Sequence, residues 1–175
     1  MLPSRIIILL FILAACIHFF GRKEKPPAPG FKYGANIPSY QTTYKVVRIK
    51  DGDTFVLLAG RQELVVRLAH IDCPEKKQPF SQQAKQFASD LCFGKYVTIL
   101  HQDVYDRNKR LIAEILLDDG RNVNMELVKN GLAWHYKKYS DNAVYAALEI
   151  TAREEGVGIW SGTEPVAPWL WRKKR

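Results

Sequence analysis

The chain opens on an almost unbroken apolar run over residues 6–20, interrupted only by His18, and regular alternation of apolar and polar positions begins only at Thr43. A spanning helix wants roughly 17–25 apolar residues, so this run has the length of an export-signal core rather than of a permanent anchor. Leu13-Ala14-Ala15-Cys16 resembles a bacterial lipobox, which makes Cys16 a candidate lipidation site. Three readings stay open at this point: a signal peptide or membrane anchor over 1–20, a lipidated Cys16, or a helix of the soluble body. Phe19 and Phe20 prolong the apolar run past Cys16, and Arg22, Lys23 and Lys25 set more positive charge behind it than Arg5 sets ahead. Residues 21–42 carry Pro26, Pro27, Pro29, Pro38, Gly30 and Gly34, the composition of an extended linker.

Beyond the linker, segments 44–49, 54–58, 64–68, 96–101 and 111–117 are rich in β-branched or aromatic residues and are divided by Gly or charged turns, which predicts five strands. Ala84, Phe87, Ala88 and Leu91 recur at helical spacing and predict a helix over 81–91 that Gly94 ends. Asn122 or Asn124 can cap a second helix over 123–129, with Gly131 as its stop, and 142–155 reads as a third. The expected fold is α+β: a five-stranded OB-type Greek-key β-barrel with about three helices, spanning 43–162. Residues 163–175 form an aromatic and basic tail beyond it.

Composition narrows the class. The 175 residues suit one domain, and 47% hydrophobic content excludes a disordered chain. The net charge of +8 sits at the ends: 41–171 holds 17 basic and 17 acidic residues, the first forty residues five basic and one acidic, and 172–175 four cations. Bulk charge therefore does not make the body a nucleic-acid binder. Cys73 and Cys92 are the cysteines of the body, and Cys92, at the end of a core-facing helix, reads as a buried free thiol rather than half of a bridge.

Polar residues cluster at strand ends and turns: Asp51-Gly52-Asp53-Thr54, Arg67, Asp72-Cys73-Pro74-Glu75, and the run Asp106-Arg107-Asn108-Lys109-Arg110. Asp-Gly alone reads equally well as a hairpin turn, and Asp72 to Glu75 as a loop leading into a helix. Arg67 is more telling, because a charge inside an apolar strand wants a partner. Together these groups meet the needs of phosphodiester cleavage. Ca²⁺ takes oxygen ligands, which Asp53, Asp72 and the backbone carbonyl of Cys73 can supply. Arginines such as Arg67 and Arg110 bind phosphate through two nitrogens, and Glu75 can take a proton from water. His70, His101 and His135 read as packed side chains, not ligands.

The order of these motifs, with Asn124-Met125-Glu126-Leu127-Val128, Gly131-Leu132-Ala133 and Gly158-Ile159-Trp160 after them, resembles the staphylococcal nuclease (thermonuclease) family over about 44–160. The resemblance implies a Ca²⁺-dependent endonuclease on an OB-type barrel that cuts DNA and RNA and leaves 3′-phosphate ends. It implies Asp53, Asp72 and the Cys73 carbonyl as calcium ligands, Arg67 and Arg110 as phosphate-binding arginines, and Glu75 as general base.

This chain departs from the family at three places. Asn108-Lys109 stands before Arg110 where Tyr-Gly is common. Tyr136 and Tyr139 lie where the family places nucleotide-contacting tyrosines, in a loop of different length. Trp169-Leu170-Trp171 followed by four cations lies beyond the family body and suits single-stranded nucleic acid, anionic lipid or solvent alike.

The expectation is an exported protein of the bacterial cell envelope or a secreted one, monomeric, with a nucleic-acid substrate and membrane contact through its leader. Arg67→Ala and Glu75→Ala are expected to fold normally and lose cleavage, and loss of residues 172–175 to weaken binding and spare turnover. The rivals are an OB module, tethered to a membrane, that binds nucleic acid without cutting it, and a membrane-attached interaction protein whose site is vestigial.

Overall fold

A computed structural model describes residues 40–174. The readings placed on residues 1–20, on Cys16 and on most of the linker lie outside the described residues. Five strands close a barrel in the order β1-β2-β3-β6-β5: β1 Tyr40–Asp51, β2 Thr54–Ala59, β3 Gln62–Leu68, β5 Tyr96–Tyr105 and β6 Leu111–Leu116. Neighbours pair antiparallel except β3 with β6, which run parallel, the crossover that a helix inserted after the third strand requires. In β6 burial alternates strictly, with Leu111, Ala113 and Ile115 pointing into the core, the period-two pattern of a half-buried strand. Phe55, Leu57, Val66, Leu68 and Ile99 complete the centre of that core.

Strand β1 starts at Tyr40, earlier than its alternation at Tyr44 suggests, because Tyr40 to Thr43 pair with His101 to Thr98 of β5. Two register shifts bend it, one of them between Ile49 and Asp51. A bulge there turns the strand sharply as it enters the Asp51-Gly52-Asp53 turn.

Three helices of seven or more residues surround the barrel. Helix α1, Ser81–Cys92, buries Ala84, Ala88, Leu91 and Cys92 against it. Helix α2, Val123–Lys129, is capped by the Asn122 side chain, which accepts hydrogen bonds from the backbone N–H groups of Asn124 and Met125. Helix α3, Ala143–Glu154, is capped in the same way by Asn142 through the N–H of Val144. Both caps satisfy amide groups that a helix leaves unpaired at its first turn. A two-stranded sheet, β4 (Ile71–Asp72) with β7 (Trp134–His135), joins the loop after β3 to the loop after α2 and pairs Asp72 with Trp134.

A second apolar cluster lies outside the barrel, built from Trp134, Ala152, Ile159, Trp160 and Ala167. Here Gly131 and Gly158 face each other so closely that a Cβ on either would meet the other segment's backbone at 2.2 Å. Both have positive φ, 63° and 57°, which only glycine adopts readily. The chain after this cluster forms a short helix α4, Pro168–Trp171, and a final turn, Arg172–Lys174.

Candidate active site

The register of the barrel brings the polar motifs together at one end. Thr54 of β2 pairs with Arg67 of β3, and Arg67 pairs with Ile112 of β6, two residues after Arg110. The β1–β2 turn, the end of β3 and the start of β6 therefore deliver Asp53, Arg67 and Arg110 side by side. The following strand β4 adds Asp72.

Arg67 is the centre of this group. Its side chain is 11% exposed. One terminal nitrogen donates to the carbonyls of Leu68 (2.8 Å) and Ile71 (2.9 Å). The other meets Asp72 Oδ1 at 2.7 Å and Asp53 Oδ2 at 3.0 Å. Burial would lower the pKa of this guanidinium, but Asp53 and Asp72 outweigh it and raise the value. Burial, with the charge of Asp53 beside it, raises the carboxyl of Asp72 against the opposing pull of Arg172 and Arg67. Asp51, next to the pair, is pushed up to about 6 by desolvation and then by the Asp53 charge.

Asp53 is further held by the backbone N–H of Cys73, which donates to its Oδ2 at 2.7 Å. The turn that carries it lies flat on helix α1: a Cβ at Gly52 would sit 2.9 Å from both the Cβ of Ala84 and the Sγ of Cys73. Cys73 and Cys92 are buried free thiols, in accord with the sequence reading of Cys92. Burial pushes both thiols up, Cys92 to about 12, so they act as packing groups.

All the donors gathered here are oxygens, the ligand type that a hard divalent cation takes. Asp53 and Asp72 lean on the same guanidinium nitrogen, so the pair is already arranged around one positive charge. Among the described residues no group of three His, Cys, Asp or Glu side chains forms a metal cage. A cation at Asp53 and Asp72 would thus complete its shell from backbone carbonyls and water.

Arg110 is aimed by its own turn. Asp106 Oδ1 accepts from the backbone N–H of Asn108 (2.9 Å) and of Arg110 (3.0 Å). Asp106 Oδ2 accepts from Arg110 Nε at 2.8 Å, and Arg110 Nη1 reaches Thr54 Oγ1 at 3.1 Å. Burial opposes ionisation of Asp106, but these bonds win and hold its carboxyl below the usual value. Lys109 has φ 58°, so it takes the left-handed conformation at the position where the resembled family has glycine. The departure at Asn108-Lys109 is absorbed in the backbone without loss of the turn.

Glu75 follows the buried Pro74 in a loop tied by Gln78, whose Oε1 accepts from the Glu75 N–H at 2.9 Å. Its side chain is 30% exposed and is bound by Arg172, a residue that sequence reasoning set in the tail. Arg172 also places Nη2 2.8 Å from Asp72 Oδ2. The sequence signal for this contact was slight. Pro168 before Trp-Leu-Trp suggests a turn packed on the body, but not the direction of the following arginine.

Tyr136 and Tyr139 lie close by, in edge contact at 4.9 Å, and Tyr136 stacks on Trp169 at 5.2 Å with only 6° between the rings. Tyr139 is 69% exposed. His70 and His135 are packed side chains: His70 Nδ1 and His135 Nε2 share Ser140 Oγ at 2.8 and 3.0 Å, and both rings stack on Tyr145.

Comparison with known proteins agrees with this geometry. Residues 65–162 match the family described as staphylococcal nuclease homologue. An uncharacterized endonuclease of Haemophilus influenzae is 39% identical over 135 residues, 77% of this chain and 75% of that protein. An uncharacterized endonuclease of Escherichia coli is 37% identical over 131 residues, 75% of this chain and 85% of its own length. The micrococcal nuclease of Shigella flexneri is 37% identical over 139 residues, 74% of this chain and 79% of its own.

Proposed function

The chain belongs to the staphylococcal nuclease family and is a nuclease, and from that premise we propose that it is a calcium-dependent endonuclease that hydrolyses phosphodiester bonds of DNA and RNA to 3′-phosphate products. The observation that carries the reading is the convergence of Arg67, Arg110 and the carboxylates of Asp53, Asp72 and Glu75 at one end of the barrel. Asp53, Asp72 and the backbone carbonyl of Cys73 would hold Ca²⁺, which supplies Lewis-acid polarisation of the scissile phosphate. Glu75 accepts the proton of the attacking water. Arg67 and Arg110 gather the negative charge that builds on the phosphate oxygens as the bond to the 5′ oxygen breaks, and such preorganised cations are the largest contributors to catalysis of this kind. Tyr136 and Tyr139 offer ring faces and edges to the bases beside the cut.

The protein is further proposed to be exported to the cell envelope or secreted, as a monomer, with its leader cleaved, retained or lipidated at Cys16. Mass spectrometry of the mature amino terminus distinguishes these forms. The activity is tested on single-stranded DNA and on RNA. Cleavage is expected to need Ca²⁺, to stop on chelation, and to fall by about 10²–10⁴-fold in Glu75→Gln. The thermal midpoint of that variant should stay near wild type, because the half-exposed Glu75 contact adds little stability. Chelator-resistant cleavage, or full activity in Glu75→Gln, would sink the mechanism.

A further inference from the structure

The carboxy-terminal segment is built into the active site. Gln78, the residue that ties the Glu75 loop, donates from its side-chain amide to the carbonyl of Val166 at 2.6 Å. Ala167 and Pro168 are buried. Trp169 stacks on Tyr136 and meets Trp134 edge-on at 5.6 Å, and Trp134 is the strand partner of Asp72. The backbone N–H groups of Leu170 and Trp171 close the α4 turn on the Ala167 carbonyl, each at 3.0 Å. Arg172 thus follows directly from a segment packed against the elements that carry Asp72 and Glu75.

Its guanidinium then forks. Nη2 meets Asp72 Oδ2 at 2.8 Å, while Nη1 donates to Glu75 Oε1 and lies 3.4 Å from Asp72 Oδ1. Arg67 satisfies only the other oxygen of Asp72. Without Arg172, Asp72 and Glu75 would turn two like charges towards each other and Glu75 would be free to rotate. A planar guanidinium between two carboxylates fixes both their spacing and their orientation.

We propose that Arg172 is a positioning residue of the nuclease site, whose guanidinium ties the Glu75 carboxylate to Asp72 and so aims it at the attacking water. The inference rests on the nuclease reading above. It makes the segment after residue 162 part of the catalytic apparatus, and it replaces the expectation that removal of residues 172–175 spares turnover. Lys173, which follows it and is exposed, serves as the control for simple loss of charge.

The experiment uses the full chain as wild type, Arg172→Ala, Arg172→Lys and Lys173→Ala. Calcium alone is first titrated by calorimetry, without nucleic acid. Arg172→Ala should bind it at least about fivefold more tightly, because a unit charge within about 4 Å of Asp72 no longer competes. Unchanged affinity would mean that the contact is not made in solution and overturns the proposal. Steady-state cleavage of single-stranded DNA is then measured. Arg172→Ala should lose at least about tenfold in kcat, less than the roughly 10²–10⁴-fold worth of the general base itself because Glu75 is still present, with KM little changed. Arg172→Lys, which keeps the charge but cannot fork, should fall between it and wild type, and it carries the test if Arg172→Ala does not fold. Lys173→Ala should keep the wild-type kcat. An Arg172→Ala enzyme with wild-type kcat overturns the proposal. A faster one also overturns it, by showing the segment to be an inhibitory plug. A wild-type protein that does not cleave defeats the nuclease reading itself, which separates that failure from the failure of Arg172.

Discussion

Replacing Arg67 by methionine tests the electrostatic centre of the fold. The change keeps an unbranched apolar stem and removes the contacts to the Leu68 and Ile71 carbonyls and to both aspartates. What remains is Asp53 without its cation and Asp72 with Arg172 alone, their side chains 9% and 3% exposed. An exposed ion pair would cost about 0–1 kcal/mol to break, but breaking a buried one costs about 3–5 kcal/mol because the abandoned charge stays out of water. Burial decides for the larger figure here. Domains are stable by only about 5–15 kcal/mol, so Arg67→Met should fold but be visibly weakened.

Urea unfolding followed by tryptophan fluorescence, in the presence of chelator, measures this loss. With a slope of about 2 kcal/mol/M, the midpoint should move down by about 2 M. Adding Asp72→Asn to the Arg67 variant removes one of the stranded charges and should recover about 1–2 kcal/mol, as coupled neighbours do. A loss under about 1 kcal/mol, or strict additivity in the double variant, would refute the assignment of Arg67 as a buried counter-charge. The structure thereby revises the expectation that Arg67→Ala folds normally. Lost cleavage in an Arg67 variant mixes catalysis with stability, and Glu75 and Arg110 are the cleaner probes of mechanism.

Three other outcomes follow from the geometry. Asp106→Asn leaves the backbone bonds of its turn but loosens the hold on Arg110; cleavage should fall by up to about 10²-fold with the unfolding midpoint nearly unchanged, and wild-type kcat would refute the aiming role. Burial pushes the carboxyl of Glu114 up, but hydrogen bonds from His70, Tyr145 and Asn122 outweigh it and leave it below the ordinary 4.5. Its contribution is therefore complete above that value and lost as pH falls through the lower folded value, so Glu114→Gln should flatten the acid limb of the stability profile, and an unchanged slope below pH 4.5 would refute it. Gly52→Ala forces a Cβ against Ala84 and Cys73; it should cost about 1–3 kcal/mol and weaken calcium binding by displacing Asp53, whereas wild-type values in both would show that the turn yields freely.

Elements whose signals are local were legible in the sequence, and elements made by distant contacts were not. Helix α2 runs over the predicted residues because its cap Asn122 and its stop Gly131 are both neighbours in the chain. The first four residues of β1 carry no clear alternation and exist through pairing with β5, some sixty residues away. The β4–β7 sheet has two residues per strand, too few to show any period. The site follows the same division. Asp53, Arg67, Asp72 and Arg110 stand in motifs that are weak singly and legible through their order along the chain, and the barrel register sets them at one end. Arg172 was missed because its contact to Asp72 spans 100 residues and depends on a tryptophan stacked on Tyr136.

That contact also changes the meaning of the charge distribution. Between residues 41 and 171 basic and acidic residues balance, and the four cations of 172–175 looked like a surplus for binding or tethering. One of them, Arg172, though 39% exposed, is already paired with Asp72 and Glu75. Around the reaction centre stand the carboxylates of Asp51, Asp53, Asp72, Glu75 and Asp106 and the guanidinium groups of Arg67, Arg110 and Arg172. Among these groups, five carboxylates stand against three guanidinium groups. A divalent cation at Asp53 and Asp72 would bring the balance close to neutral. It would do so at the point where phosphate must approach, which supports a metal requirement for substrate binding as well as for chemistry. The basic residues that follow Arg172 can raise the encounter rate with nucleic acid.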